Sequence, residues 1–415
     1  MKVLIAGGGG REHALAWKIA QSPAVSKLYA APGNPGIAEI ANCIPAGGSP
    51  LELLAVARGL DADLTVVGPE APLVEGVVDL FLSERRLIVG PKKDAARLEG
   101  SKVFAKQFFR ERAIPTADFI IAASTGEATG ALARFDFPVV LKTDGLAGGK
   151  GVIVARDPAE AKEALARLPL PLVIEEFLEG EEISFIVLSD GKKFLPFAPS
   201  QDHKRAGDGD TGPNTGGMGA FSDDRLLSEQ QSHEILERIV GPVIEATRFT
   251  GFLYAGLMLT AGGPKVLEFN VRMGDPETQA LMLRLESDFA AALLEAARGD
   301  LGGQRFRSRP GASACVVLAS GGYPGSYHAG IPIRIGDTGG ATVFHAGTRM
   351  GATGLETAGG RVLGVAAAGP DLPGALERAY AGVAQIHFDG MHYRRDIGAR
   401  GLARYNRYNR TVSGT

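Results

Sequence analysis

The chain has 415 residues and a formal net charge of −3, from 44 basic and 47 acidic residues. This balance excludes a field that would gather nucleic acid or an anionic membrane surface, so we expect small-molecule partners. Cys43 and Cys315 lie far apart in apolar surroundings, which indicates reduced thiols rather than a disulfide or metal framework. The sequence shows neither a secretory core nor an apolar run of membrane-spanning length, which predicts a soluble cytoplasmic protein.

The first hundred residues alternate short aliphatic strands with helix-like stretches, which predicts an α/β domain with a doubly wound parallel sheet. The predicted strands are 3–6, 28–31, 64–67 and 87–89, and the predicted helices are 12–20 and 74–84.

The rest of the chain is too long for one further core and predicts a multidomain α/β and α+β protein. Strands and a helix around a glycine-rich loop indicate a small mobile lid at about 123–188. A polar stretch at 300–310 resembles a linker into a small carboxy-terminal α+β unit with strands at 315–319 and 362–367. The predicted domains are 1–100, 101–305 and 306–415, and further helices are predicted at 95–112, 228–247 and 278–297.

Residues 265–272 have the pattern of a strand in which Glu268, Asn270 and Arg272 share one face. The other face would carry Leu267, Phe269 and Val271. A carboxylate and an amide oxygen suit Mg²⁺, and the guanidinium beside them can bind an anion. The alternative is an edge strand with a solvated polar face. The density of polar residues that follows favours the metal site.

A second cluster surrounds Lys142, where an apolar strand leads into a loop with four glycines and Lys150 before a returning strand. Glycines let backbone N–H groups close over phosphate oxygens, whereas the alternative is a merely flexible hairpin. The spacing is not that of a Walker A loop. The acidic stretch 175–182 follows the next strand. It is either a solvated turn or an adenine and ribose site, with Glu182 on the ribose.

In order and spacing, Ser101-Lys102, Leu141-Lys142, the acidic stretch and Leu267 to Asn270 resemble the nucleotide site of the ATP-grasp superfamily. Further motifs resemble the glycinamide ribonucleotide synthetase family, the phosphoribosylamine-glycine ligases, over nearly the whole chain. They are Gly7 to Leu15, Pro32 to Gly36, Gly68 to Glu70, Asp202 to Arg205, Asn214 to Gly219, Gly274 to Gln279 and Arg395 to Arg400.

The resemblance implies ATP-grasp central domains with a mobile lid and a ligase that activates glycine as glycyl phosphate for attack by 5-phosphoribosylamine. It implies ATP and Mg²⁺, or Mn²⁺ instead, with Glu268 and Asn270 as metal ligands. Arg272 and Lys142 are the implied catalytic residues, with Arg272 on the acyl phosphate. The implied ATP-binding residues are Lys102, Lys142, Gly148, Gly149, Gly151, Glu175, Glu176, Leu178 and Glu182.

The phosphoribosylamine site is expected where Gly8, Gly9 and Gly10 precede a helix, because exposed N–H groups there favour a phosphate that Arg11 would also contact. The resemblance places a second polar loop against both substrates. Its expected substrate-binding residues, with Arg272, are Asp202, Lys204, Arg205, Asp210 and Gly217. For each of these loop residues, the alternative is that it is exposed to solvent and has no role in binding. The expected substrates are glycine and 5-phosphoribosylamine, and the chain is expected to be a monomer.

One departure from the family pattern is that 253–259 offers no acidic residue, which leaves a second metal ion in doubt. The sequence also has three rival interpretations of its function. A nicotinamide-dependent oxidoreductase is disfavoured because the dinucleotide-binding fingerprint fails at Glu12 and His13. A nucleotide sensor would not need the 268–272 constellation together with a substrate loop. Another ATP-grasp ligase is opposed only by the amino-terminal and 202–219 motifs.

Overall fold

A computed structural model describes residues 1–146 and 151–404. The helices are α1 Gly10–Ile19, α2 Pro50–Leu60, α3 Glu70–Glu75, α4 Val77–Ser83, α5 Lys93–Gly100, α6 Lys102–Glu111, α7 Thr125–Leu132, α8 Pro158–Arg167, α9 Glu229–Ile235, α10 Gly241–Thr247, α11 Glu277–Arg284, α12 Phe289–Arg298 and α13 Leu372–Val383. The strands are β1 Lys2–Gly7, β2 Lys27–Pro32, β3 Asn42–Cys43, β4 Leu64–Val67, β5 Ile88–Val89, β6 Phe119–Ala122, β7 Val139–Thr143, β8 Val152–Ala155, β9 Leu172–Glu176, β10 Glu181–Asp190, β11 Phe194–Pro196, β12 Ser200–Asp202, β13 Arg205–Gly207, β14 Thr211–Asn214, β15 Gly219–Asp223, β16 Thr250–Thr260, β17 Gly263–Asn270, β18 Ala312–Ala319, β19 Arg334–Ile335, β20 Thr342–His345, β21 Thr348–Gly351, β22 Gly354–Thr357, β23 Arg361–Gly369 and β24 Ile386–His387.

The amino-terminal strands form a parallel sheet in the order β3-β2-β1-β4-β5, with Val3 opposite both Leu28 and Leu64. Residues 3–6 of β1 are buried, as expected of an aliphatic strand covered on both faces by helices. The predicted doubly wound α/β fold is therefore confirmed for this part of the chain.

A large antiparallel sheet forms the centre of the molecule. Its main path runs β17-β16-β10-β12-β15-β18-β23-β20 within the described residues, and β11 also pairs with β10. The carboxy-terminal strands β18, β23 and β20 thus continue the central sheet, because β18 pairs with β15 from Ala312 opposite Asp223 to Val316 opposite Gly219. This α+β unit shares a sheet with the central domain, a long-range pairing that local sequence patterns do not reveal. The predicted domain boundaries, at 1–100, 101–305 and 306–415, stay predictions.

A separate antiparallel sheet, β6-β9-β7-β8, is formed by strands of the predicted lid region together with β6, which immediately precedes that region. It has its own apolar cluster, which includes Val139, Leu141, Ala155 and Ile174 together with alanines of α7 and α8. A small sheet with a core of its own can move as a unit about its connections. The mobility of the lid stays a prediction.

Four predicted helices are interrupted. Gly76, with φ of 98°, separates α3 from α4, and extended Ser101 separates α5 from α6 while its hydroxyl accepts the Phe104 N–H at 3.1 Å. Asp288 caps α12 and separates it from α11, whereas the 228–247 helix contains a π-helical turn before Pro242. Apolar periodicity continues across these breaks, because three of them are marked only by a capping residue and the fourth is a π-helical turn without a side-chain cap.

No helix in residues 1–146 or 151–404 is both long enough and apolar enough to cross a membrane. Cys43 and Cys315 are free thiols.

The joint between the amino-terminal and central sheets depends on Gly251, which has φ of 96° and lies against Gly90. A Cβ at position 251 would lie 2.7 Å from the Gly90 Cα. We predict that Gly251→Ala lowers the free energy of unfolding by about 2 kcal/mol or more, from overpacking and an unfavourable φ. Urea denaturation measures this loss. Gly130→Ala in α7 is the matched control, because its Cβ would meet nothing within 4 Å. Equal effects of the two substitutions would contradict the prediction.

Candidate active site

The strand β17 carries the predicted metal ligands, and an irregularity in its pairing with β16 sets their position. Gly256 lies opposite Glu268 but Leu257 lies opposite Val266, so that Leu267 is an extra residue in the ladder. A bulge of this kind reorients the neighbouring side chains. The prediction that Leu267 shares the face of Phe269 is therefore wrong. Phe269 packs in the main core, whereas Leu267 packs on Leu178 and Met258 beside the site.

Lys204 lies between predicted ribose and metal residues. Its Nζ is 3.0 Å from Glu182 Oε2 and 4.0 Å from Glu268 Oε1, and Asp202 is close enough to interact electrostatically. Burial opposes the charge of this ammonium, but the carboxylates outweigh it and hold its pKa well above the ordinary value. Burial also raises the pKa of Asp202 to about 7, against the pull of Lys204. The structure therefore brings together residues predicted separately on β10, β12 and β17.

Arg272 is fixed by partners from three elements. Its Nε lies 3.2 Å from Glu70 Oε2 and its Nη2 lies 2.9 Å from Glu99 Oε1, while Nη2 also donates to Asn270 Oδ1 at 3.1 Å. Burial opposes its charge, but Glu99 and Glu70 hold its pKa above the ordinary value. The guanidinium is thus held rigidly beside Asn270, where it could bind an anion. Sequence reasoning missed Glu99, because its role depends on a partner 173 positions away.

Glu268 and Asn270 fit a hard divalent cation. The Glu268 side chain is 44% exposed, and the amide oxygen of Asn270 keeps a second lone pair beside its bond from Arg272. Residues 1–146 and 151–404 contain no group of three or more His, Cys, Asp and Glu that could hold a metal by themselves. One carboxylate and one amide therefore fit an ion whose remaining ligands are water and phosphate oxygens, as Mg²⁺ prefers.

The two predicted phosphate-binding lysines are partly buried near this strand. Lys102 Nζ donates to the Gly145 carbonyl at 2.8 Å, and burial lowers its pKa although Glu268 opposes that effect. Lys142 Nζ donates to the Leu267 carbonyl at 3.1 Å and forms an ion pair with Glu175. The positive charges lie close to Glu268, as an ATP site requires.

Glu175 is placed differently from the expectation of an adenine acceptor. It is 2% exposed, and its carboxylate contacts both Lys142 and Lys106. In this conformation the side chain serves as a counter-ion within the protein. Glu176 accepts the Asp118 N–H at 3.0 Å and a bond from Lys265 at 2.9 Å.

Leu178 belongs to a small apolar cluster that could cover one face of a flat ring. Its partners are Ala117, Met258 and Leu267. Apolar walls of this kind commonly line nucleotide pockets. Gly148 and Gly149 of the predicted phosphate loop lie outside the described residues, whereas the Gly151 carbonyl accepts the Thr143 N–H at 2.9 Å.

The turn that precedes α1 is closely packed. A Cβ on Gly8 would lie 2.3 Å from the Gly33 carbonyl oxygen, and one on Gly10 would lie 2.6 Å from Gln279 Nε2. The Gly9 N–H donates to Glu12 Oε2 at 2.6 Å, so this donor already caps the helix from within. Packing therefore accounts for the glycines at these positions, and a phosphate would have to use other donors of the turn.

Arg11 is 8% exposed and bonds inside the protein. Its Nε donates to Glu12 Oε1 at 2.6 Å, and Nη1 donates to the Met273 carbonyl at 3.2 Å. These bonds tie α1 to the segment that follows β17. The predicted phosphate contact of Arg11 would have to use the remaining face of its guanidinium.

The loop after β12 connects to the carboxy-terminal unit. Asp210 pairs with Arg394 at 2.8 Å and with Arg400 at 2.5 Å, and Arg394 also pairs with Asp396 at 2.7 Å. Arg205 Nη1 donates to the Gly212 carbonyl at 2.8 Å, within the β13–β14 hairpin. In this structure Asp210 ties the loop to the carboxy-terminal unit, and Arg205 closes the hairpin within it.

Gly217 permits the close approach of this loop to the 274–279 motif. It has φ of 114°, and a Cβ there would lie 2.6 Å from Pro276 Cδ. Arg361, on β23, donates to the carbonyls of Gly216 and Asp275 at 2.7 and 2.6 Å. Arg361 is a residue that sequence reasoning missed, because nothing in its own neighbourhood indicates these partners.

Comparison with known proteins decides the family. Three domain models described as phosphoribosylglycinamide synthetase match in order, the N domain over 1–99, the ATP-grasp (A) domain over 100–278 and the C domain over 313–400. The chain belongs to the phosphoribosylglycinamide synthetase family. The predicted family and fold class are confirmed.

Relatives with names and solved structures agree with this family. The phosphoribosylamine–glycine ligase of Vibrio cholerae is 46% identical in an alignment that covers 97% of this chain and 99% of that protein. A crystal structure of phosphoribosylamine–glycine ligase from Thermotoga maritima has a TM-score of 0.85 at 35% identity, covering 96% of this chain and 100% of that one. The biotin carboxylase domain of a Hydrogenobacter thermophilus carboxylase, 17% identical with a TM-score of 0.73 over 94% of this chain and 91% of that one, shares the fold alone.

As a member of the phosphoribosylglycinamide synthetase family, the chain is an ATP-grasp ligase of purine biosynthesis that acts on small molecules. It uses ATP and a divalent metal ion, which agrees with the carboxylate and amide oxygens at the end of β17 and the lysines near them.

The ion pair between Arg394 and Asp396 supports a prediction about pH in this family member. Burial disfavours the charge of Asp396, but bonds from Arg394 and the Gly209 N–H outweigh it and lower the pKa to about 2. A depressed folded-state pKa stabilises the fold above the ordinary value near 4, and this stabilisation is lost as the pH falls towards 2. Asp396→Asn should therefore cost up to about 2 kcal/mol at neutral pH, with the difference from the parent shrinking between pH 4 and 2.

Urea unfolding at a series of pH values tests this expectation. Asp389→Asn is the control, because its side chain is 90% exposed. A difference between parent and Asp396→Asn that stays constant with pH would contradict the assignment.

Proposed function

We propose that this ligase joins glycine to 5-phosphoribosylamine and forms glycinamide ribonucleotide, ADP and phosphate in de novo purine synthesis. The observation that carries the proposal is the convergence of Lys204, Glu182 and Glu268 beside the fixed guanidinium of Arg272. The named relatives support the choice of substrates.

The chemistry needs two displacements. A glycine carboxylate oxygen attacks the γ-phosphorus of ATP and ADP leaves, giving glycyl phosphate. The amine of phosphoribosylamine then attacks the acyl carbon, phosphate leaves, and the nitrogen loses a proton to complete the amide. The first step brings two anions together, so cations must neutralise them in a site that excludes water.

The cationic side chains have distinct proposed tasks. Lys102 and Lys142 would neutralise the α- and β-phosphates, and Arg272 would stabilise the acyl phosphate. Arg272 is suited to a fixed geometry because Glu70 and Glu99 hold two sides of its guanidinium. Glu268 and Asn270 would hold Mg²⁺ or Mn²⁺, which when bound would neutralise charge on the phosphate oxygens.

The nucleotide would lie between the lid sheet and the central sheet. We place the base against Leu178 and the backbone near Glu175 and Glu176, and the ribose against Glu182. Support comes from the apolar cluster of Leu178 and from the closeness of Glu182 to Lys204. The loop residues Gly148, Gly149 and Gly151 would close over the phosphates.

The phosphoribosylamine site is proposed between the turn of Gly8 to Gly10, with Arg11, and the loop after β12. Asp202 and Lys204 are supported most directly, because they lie beside the metal-binding strand. Arg205, Asp210 and Gly217 would act by shaping that loop, since their bonds and packing are within it or to the carboxy-terminal unit. A cytoplasmic location, a monomeric state and the absence of nucleic-acid partners stay predictions.

The proposed reaction predicts that purified protein releases ADP only when Mg-ATP, glycine and freshly generated phosphoribosylamine are all present. Coupled ADP detection measures the rate, and labelled glycine should appear in a ribonucleotide. ADP release with another acid or amine would indicate a different ATP-grasp ligase. Binding of ATP without turnover of any acid would indicate a nucleotide sensor and overturn the proposal.

The proposed metal ligand predicts that Glu268→Gln lowers kcat by at least about 100-fold and raises the Mg²⁺ concentration needed for half-maximal rate, because a charged ligand is lost. Glu179→Gln is the matched control, since Glu179 is an exposed acid between β9 and β10. Steady-state rates across a Mg²⁺ series give the comparison. An unchanged Mg²⁺ dependence in Glu268→Gln would remove Glu268 from the metal site.

A further inference from the structure

A buried charge cluster at the base of the lid includes a lysine that the proposed reaction does not use. Lys106, on α6, is 3% exposed, and its Nζ lies 2.5 Å from Glu175 Oε2. Glu175 also pairs with Lys142, which projects from the neighbouring strand β7. One carboxylate therefore contacts two lysines, of which only Lys142 is assigned to the nucleotide.

Lys106 is also anchored to the central sheet. Its Nζ donates to Thr116 Oγ1 at 2.7 Å, and that hydroxyl donates to the Val266 carbonyl at 2.7 Å. The Lys142 ammonium donates to the carbonyl of the next residue, Leu267. The cluster thus joins the lid strands β7 and β9 to α6 and β17.

The charges in this cluster depend on one another. Burial disfavours ionisation of Glu175, but Lys142 and Lys106 outweigh it and hold its pKa below the ordinary value. Burial lowers the pKa of Lys106 to about 8, although Glu175 opposes that effect. A buried carboxylate that loses all its partners carries a large free-energy penalty.

This arrangement creates a conflict with nucleotide binding. Lys142 must reach a phosphate oxygen in the proposed function, yet in this structure its ammonium is bound to Glu175 and to a carbonyl. If Lys142 were the sole counter-ion of Glu175, its departure would leave an unpaired buried charge. Lys106 removes that obstacle because it stays beside Glu175 in a position closed to solvent.

We propose that Lys106 is a positioning residue that retains the charge of Glu175 and so frees Lys142 to bind the phosphates of ATP. Lys106 acts through Glu175 and does not itself touch the nucleotide. The inference rests on the proposed use of Lys142 as a phosphate ligand, and it concerns nucleotide binding alone, whatever acid and amine the enzyme joins. The contrasting role for Lys106 is a purely structural tie between α6 and the lid.

The test is the affinity for Mg-ATP, measured by calorimetry without the other substrates on the parent and three variants. In Lys106→Met, Glu175 depends on Lys142 alone, and the Kd should rise about tenfold or more, which corresponds to about 1.4 kcal/mol. In Glu175→Gln the competing charge is gone, so the affinity should equal or exceed that of the parent. The double variant Lys106→Met with Glu175→Gln should recover to within about threefold of Glu175→Gln.

A structural tie predicts the opposite pattern. The double variant would then bind ATP as weakly as Lys106→Met, because the tie is missing in both, and this result would overturn the proposal. Reduced affinity of Glu175→Gln alone would also overturn it and would favour a direct adenine contact by Glu175. If Lys106→Met does not fold, as judged by circular dichroism, the affinity of Glu175→Gln still decides between these roles.

Lys162→Met is the matched control, because Lys162 is exposed on α8 of the same lid and its loss should leave the Kd unchanged. The outcomes separate this inference from the proposed function. A parent protein that binds Mg-ATP but does not turn over glycine fails the substrate assignment only. Failure of the parent to bind Mg-ATP would remove the premise of both the proposed function and the inference about Lys106.

Discussion

The ion pairs of Arg272 are the interaction on which the arrangement of the site depends. Glu70 reaches this guanidinium from the start of α3 and Glu99 reaches it from α5, while Asn270 at the end of β17 accepts a bond from it. One cation thereby joins the amino-terminal domain, the connecting helices and the strand with the proposed metal ligands. Because Arg272 and Glu99 are largely buried, removing either partner would leave the other as a poorly solvated charge without its ion pair.

Other cations of the site also have protein partners in this structure. Lys142 pairs with Glu175, Lys204 with Glu182, and Arg361 with Asp275. For Lys142, the proposed binding of a phosphate is therefore an exchange of partners rather than the filling of an empty positive pocket. In the proposed function, the affinity for ATP depends on how readily Glu175 gives up Lys142.

Local sequence patterns indicated the elements better than their ends or their neighbours. The aliphatic strands of the parallel sheet and the polar face of β17 follow from side-chain character, and both are present. The continuous helix predicted over 95–112 is divided because Ser101 adopts an extended conformation and caps α6. The face assigned to Leu267 was wrong because strict alternation assumes a regular ladder, and a bulge depends on the partner strand.

The sequence by itself determined the fold class and the family, and it predicted the stretches in which the chemistry lies, because apolar periodicity and ordered motifs are local properties of the chain. Tertiary structure alone decided which charges meet. Glu99, Lys106 and Arg361 stand in ordinary surroundings along the chain, yet the side chains of Glu99 and Lys106 are buried, and that of Arg361 is partly buried, beside a residue of opposite charge or a carbonyl far away in sequence. A charged side chain acquires such a role only when folding removes its hydration water and brings a partner to it. Neither can be read from the residues that flank it in the sequence.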